Sequence, residues 1–142
     1  MLTLTLSLDT NVYASGDVLA ATQEVPSWAA ANARAQSFLQ SIVLIDADDQ
    51  KAAMDLIFFA SNVSLGAENA ACSIDDTDAL QCLGTVPIET TDYVDLGGVA
   101  VATVRNIGLS LVTPALYVAV RSRGTPTHSA SGLTLKLSLL VV

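Results

Sequence analysis

Every second residue at the start of this chain is a leucine. Leu2, Leu4, Leu6 and Leu8 alternate with Thr3, Thr5 and Ser7, and the same period returns at the far end, where Leu133, Leu135, Leu137, Leu139 and Val141 alternate with Thr134, Lys136 and Ser138. Successive side chains of a β-strand point to opposite faces, so a two-residue period marks a strand with one buried face. Both ends of the sequence therefore belong in sheets. Leu140 and Val142 break the polar side only at the end of the last strand.

The residues between carry the punctuation of an all-β protein. Ser15, Gly16 and Asp17 make a turn ahead of a strand over Val18 to Val25, and Pro26 stops that strand because it cannot donate to a ladder. Ser27 to Gln36 is alanine-rich, contains Trp28, and fits a helical turn or an irregular loop. Phe38 to Asp46 and Met54 to Ala60 are strongly apolar strands. The polar stretch Ala47 to Lys51 between them reads as a hairpin loop, which predicts that the two pair. Ser73 to Leu83 reads as a helix, centred on about residues 75 to 83: Ser73 or Asp75 can cap it, Asp76 and Asp78 suit the positive end of its dipole, and Gly84 stops it. Further short strands are expected at Val86 to Ile88, Tyr93 to Leu96, Val99 to Arg105, Ile107 to Val112 and Leu116 to Ser122. Such spacing predicts an all-β fold, one domain over residues 1–142, built as an antiparallel β-sandwich or jelly-roll-like barrel with one short helix.

Charge is scarce. Asp, Glu, Lys and Arg make up 14% of the chain while 51% is apolar, against about 25% charged in an ordinary soluble domain. A surface this poor in charge is expected to be covered in part by neighbouring proteins. The net charge of −8 and the scattering of the six basic residues, of which only Arg121 and Arg123 are close, argue against nucleic acid and against an anionic membrane surface. No apolar run approaches the roughly 18 residues of a membrane-spanning helix. The first leucines follow no basic residue and are interrupted at every second position, which predicts synthesis in the cytoplasm rather than a secretory signal.

The residues that chemistry would need are thin. Cys72 and Cys82 are expected to be buried thiols, and the chain to fold without a disulfide, metal or cofactor. His128, the one histidine, reads as a loop residue of Arg123 to Ser129 rather than as a general base. Asp46, Asp48 and Asp49, and then Asp75, Asp76 and Asp78, read as solvated turn and cap carboxylates, since neither group matches a calcium loop. Phosphate-binding glycine loops, zinc-ligand spacing and a serine nucleophile elbow are all missing, so no enzyme is expected. Trp28 and Phe38 are the candidates for an interface, because aromatic residues concentrate in interface cores.

Four stretches, "LDTNVYASGDVLA" (Leu8 to Ala20), "SIVLIDADDQKAAMDLIFF" (Ser41 to Phe59), "NVSLGAENAACSIDDTDA" (Asn62 to Ala79) and "LYVAVRSRGTPTHSASGLTLKL" (Leu116 to Leu137), carry a further signal. In them the chain resembles small virion structural proteins of tailed bacteriophages. The resemblance implies a capsid decoration or cement protein on the outside of the particle, with the major capsid protein as its partner, and it carries over no functional residue. Self-association as a homotrimer is expected as well, since trimers match the threefold positions of an icosahedral lattice. The other function in view is a tail or host-receptor module binding glycans, resting on Trp28 and the loop Arg123 to Ser129.

Overall fold

The computed structural model describes residues 1–28 and 36–141, so the alanine-rich stretch after Trp28 lies almost wholly outside the described residues. Its strands are β1 (Leu2–Thr5), β2 (Val18–Glu24), β3 (Ser37–Asp46), β4 (Met54–Phe59), β5 (Cys82–Ile88), β6 (Tyr93–Asp95), β7 (Ala100–Val104), β8 (Leu109–Leu111), β9 (Tyr117–Ser122) and β10 (Leu133–Val141). They form two antiparallel sheets, one in the order β1-β10-β3-β7-β6 with β8 also on β3, the other in the order β2-β9-β4-β5.

β7 and β8 lie end to end along β3, the first on Ile42–Asp46 and the second on Ser37–Leu39. Counted as one interrupted strand, they complete a nested scheme: β1 pairs with β10, β2 with β9, β3 with β7 and β8, and β4 with β5. First meets last, and so on inward. That is an antiparallel ribbon rolled on itself, the jelly roll.

The terminal leucines close this roll. Leu4 and Leu44 flank Leu135 in register on either side, and Leu2, Leu4, Leu6, Leu8, Leu133, Leu135 and Leu137 are all buried. Across the core they meet Met54, Leu56, Phe58, Val118 and Val120 of the other sheet. A bulge between Ser138 and Leu139 then shifts the register of β10, and Leu140 emerges exposed.

The structure corrects the sequence reading at three places. β3 and β4 do not pair; they stand in opposite sheets. Two strands that each bury one apolar face have the same alternation whether they lie side by side or face each other. The helix is also shorter than expected, a single turn α1 (Asp76–Ala79) capped by Asp75, whose carboxylate accepts from the Asp78 N–H at 2.7 Å. Cys82 and Leu83 are drawn into β5 by pairing with β4. Gly84 is thus no helix stop. At φ +154° it lies in the strand, where a Cβ would come within 2.6 Å of a Leu109 methyl from the other sheet. Finally, the thiols are free and less buried than expected: Cys82, at the outer start of edge strand β5, is exposed, and Cys72 is half-buried.

A second, smaller core explains why β2, β4 and β9 read as apolar on both faces. Val18, Phe59 and Ala119 point away from the main core, and the segment following β4 covers them with Val63 and Leu65. The Thr22 hydroxyl donates to the Val63 carbonyl, and the Val18 N–H donates to Ala70 O at 2.8 Å, which ties this segment to β2.

Leu135 sits at the centre of the larger sheet with no exposed surface. Leu135→Asp removes about 1.5–3 kcal/mol of apolar burial and encloses an unpaired charge, so it should destabilise the fold by on the order of 4 kcal/mol or more. Urea unfolding followed by circular dichroism measures this, and an unchanged midpoint would refute the placement.

Candidate functional site at the loop end of the sandwich

Several of the connections that pass between or beside the sheets meet at one end, and they interlock through specific polar contacts. Tyr13, ahead of β2, donates its N–H to Pro126 O at 2.9 Å, and the Leu8 N–H donates to Ala130 O at 3.1 Å. The Tyr93 hydroxyl donates to Ala52 O at 2.8 Å. Lys51 bridges Asp49 and Asp95 at 2.6 and 3.2 Å. Arg123 contacts Asp55 and Glu89, both at 3.0 Å, while Arg121 reaches the same Asp55 at 3.3 Å. The one basic pair that the sequence brings together is therefore neutralised by carboxylates, which removes what little footprint it offered a phosphate.

At the centre of this end lies Asp46. It falls on the inward parity of β3 after Ile42 and Leu44, and its side chain has no exposed surface. One carboxylate oxygen accepts the Asp48 N–H at 3.1 Å, and the other accepts the Gln50 and Lys51 N–H groups, each at 2.8 Å. Asp49 and Lys51 adopt positive φ, 54° and 51°. The carboxylate thus gathers the N–H groups of a tight turn whose exit leads to the opposite sheet.

Asp48 faces the β9–β10 connection. Its carboxylate accepts the Ser129 N–H at 2.8 Å and the Ser129 hydroxyl at 3.0 Å. A Cβ at position 132 would meet the same carboxylate and push it off its Ser129 contacts, so glycine leaves room for the Asp48 side chain there. Burial pushes the Asp48 carboxyl up, but the Ser129 hydrogen bonds and the neighbouring His128 outweigh it and hold the pKa below the usual carboxylate range.

His128 completes the group. Its side chain is fully buried, with Nδ1 3.5 Å from Asp48 Oδ2 and 3.9 Å from Asp46 Oδ1. Among the described residues neither ring nitrogen has a hydrogen-bond partner. Tyr13 flanks the imidazole, ring centroids 6.5 Å apart and tilted by 55°. Burial lowers the His128 pKa and outweighs the opposite pull of the two carboxylates.

Of the residues singled out from the sequence, the structure brings Asp46, Asp48 and His128 together, and it corrects the expectation of an ordinary loop histidine and solvated turn carboxylates. Asp49 instead pairs with Lys51, and Asp75, Asp76 and Asp78 remain at the exposed start of α1, as cap residues. Trp28 is 2% exposed in the main core and donates its indole N–H to Thr113 O at 2.9 Å, so it is not free to meet a partner. Phe38 lies half-buried on the outer face of β3, opposite Leu140. The signal that locates Asp46 is its parity, because it continues the alternation of the buried Ile42 and Leu44. Nothing local marks His128, whose burial comes from a loop folding over the end of the roll.

No known family model and no curated protein matches this sequence.

Replacing Asp46 by alanine leaves three backbone N–H groups of a half-exposed turn without their protein acceptor. Asp46→Ala should cost about 1–3 kcal/mol, because water can reach some of these donors while a fully buried unsatisfied donor alone costs about that much. Asp46→Asn, which keeps one acceptor oxygen, should cost less. Thermal melts of the two variants beside the parent protein check the order.

Proposed function

We propose that the chain is a structural virion protein that decorates and stabilises a bacteriophage capsid by binding the lattice of its major capsid protein, and that it does so as a homo-oligomer, with a trimer the form that suits an icosahedral shell. The observation that carries this reading is an apolar patch left open on the outer face of the larger sheet. Phe38 faces outward, its register partner Leu140 is 50% exposed, and Val112, just past the inward Leu111 of β8, is 62% exposed. Exposed apolar residues gathered on one face are a candidate site of association.

Two further features support the reading. The jelly roll is an architecture used by viral capsid and lectin domains, although a fold alone does not fix a function. The net charge of −8 suits a position away from packaged DNA. The tail or glycan-binding alternative loses much of its motive: Trp28 is in the core, and the loop offered for a ligand is pinned to the β3–β4 turn through Thr127 and Ser129.

The purified chain should sediment as a small oligomer, and Leu140→Lys should shift it to monomer while changing monomer stability by no more than about 0.5 kcal/mol, as expected at an exposed site. Added to heads that lack it, the protein should bind in many copies and raise their heat resistance in low and high salt alike, because an apolar contact is little affected by screening. Absence of binding, or labelling confined to the tail of purified virions, would favour the adhesion module.

A further inference from the structure

We propose that Asp46, Asp48 and His128 bind one first-row transition-metal dication, zinc by preference, which staples the β3–β4 turn to the β9–β10 loop.

Distances carry the argument. His128 Nδ1 faces Asp48 Oδ2 at 3.5 Å and Asp46 Oδ1 at 3.9 Å, and the three donor atoms lie within 4.8 Å of one another. A hydrogen bond from the imidazole would need about 2.7–3.2 Å. Two donors on one tetrahedral zinc, with bonds of about 2.0–2.2 Å, stand about 3.3–3.6 Å apart. The Asp48 contact is longer than an ordinary hydrogen bond and matches the spacing of two donors on one ion, and Asp46 has to draw roughly 0.3–0.6 Å nearer to the ring.

A second observation is independent of the carboxylates. Buried polar atoms nearly always have partners, yet the His128 side chain has no exposed surface, and its Nδ1, aimed at both carboxylates, has none. An ion at Nδ1 supplies the partner. Among the described residues no lysine or arginine forms an ion pair with Asp46 or Asp48, so no side-chain cation already fills the place. Asp46 Oδ1 has a lone pair to spare, since it accepts only the Asp48 N–H and the backbone turn orients it; Asp48 Oδ2 already accepts the Ser129 N–H at 2.8 Å and the Ser129 hydroxyl at 3.1 Å, so the hydroxyl has to turn wholly to Oδ1, 3.0 Å away, for Oδ2 to take the ion. Mixed imidazole and carboxylate donors select zinc and its neighbours over calcium and magnesium, which take oxygen ligands. Asp48, 24% exposed, is the side from which an ion and a fourth, water ligand enter.

The test uses the whole chain, freed of metal with EDTA and then of EDTA. Cobalt(II) titration should give the intense visible bands of a tetrahedral site at one ion per chain, zinc should displace it, and a hundredfold excess of calcium should not. His128→Gln and Asp48→Asn should each weaken zinc binding at least tenfold in calorimetry while the circular dichroism spectrum is retained. Should a variant fail to fold, the parent protein still answers: with one histidine in the chain, its imidazole nitrogen resonances are unambiguous, and zinc should move Nδ1 to the metal-bound position. Absence of uptake, displacement by calcium, binding unchanged in His128→Gln, or an imidazole unmoved by zinc would each overturn the proposal.

Discussion

The architecture turns on a single carboxylate gathering N–H groups. Asp46 ends an apolar strand on its inward face, where a charge is costly unless it is fully bonded, and it is bonded by the backbone of the very turn that follows it. That turn takes the chain from one sheet to the other instead of back along the same sheet. β3 and β4 then face each other across the core, the strands before and after them nest outward in pairs, and the two terminal leucine strands meet as β1 and β10. The polar turn and the ladders on both edges of each strand, β10 and β7 with β8 on β3 and β9 and β5 on β4, favour this topology together.

Much of the fold is legible in the sequence, for a physical reason that also sets its limit. Alternation reports which faces are buried, and the buried leucines of both termini and the strand positions follow from it. It does not report what a face is buried against. For that reason the β3–β4 pairing and the extent of the helix are misread: Ser73 to Leu83 has the caps of a helix, but Cys82 and Leu83 gain more from the open edge of β4 than from another helical turn. The loop-end cluster divides in the same way. Asp46 is recoverable from its parity, whereas His128 is buried by a loop whose path depends on Ser129, Gly132 and the β3–β4 turn together.

The shortage of charge has a partly internal explanation. Val18, Phe59, Ala119, Val63 and Leu65 occupy an outer face that most sandwiches leave to water, so some of the apolar excess is consumed within the chain. Other apolar side chains stay uncovered, among them Leu140 and Val112 beside the half-buried Phe38, Leu80 after α1, and Val94 and Leu96 around the β6–β7 hairpin. Three of the six cations are similarly spent within the chain, Arg121 and Arg123 on Asp55 and Lys51 on Asp49 and Asp95. The acidic surplus is what faces outward.

Gly84 and Leu109 come from different sheets, yet one occupies the volume that a side chain on the other would claim. The separation of the sheets is consequently written into two positions at once. Alanine at 84 would have to hold a φ that side chains rarely adopt and turn the Leu109 side chain aside or spread the layers at that corner, so two positions 25 residues apart in sequence answer to one constraint.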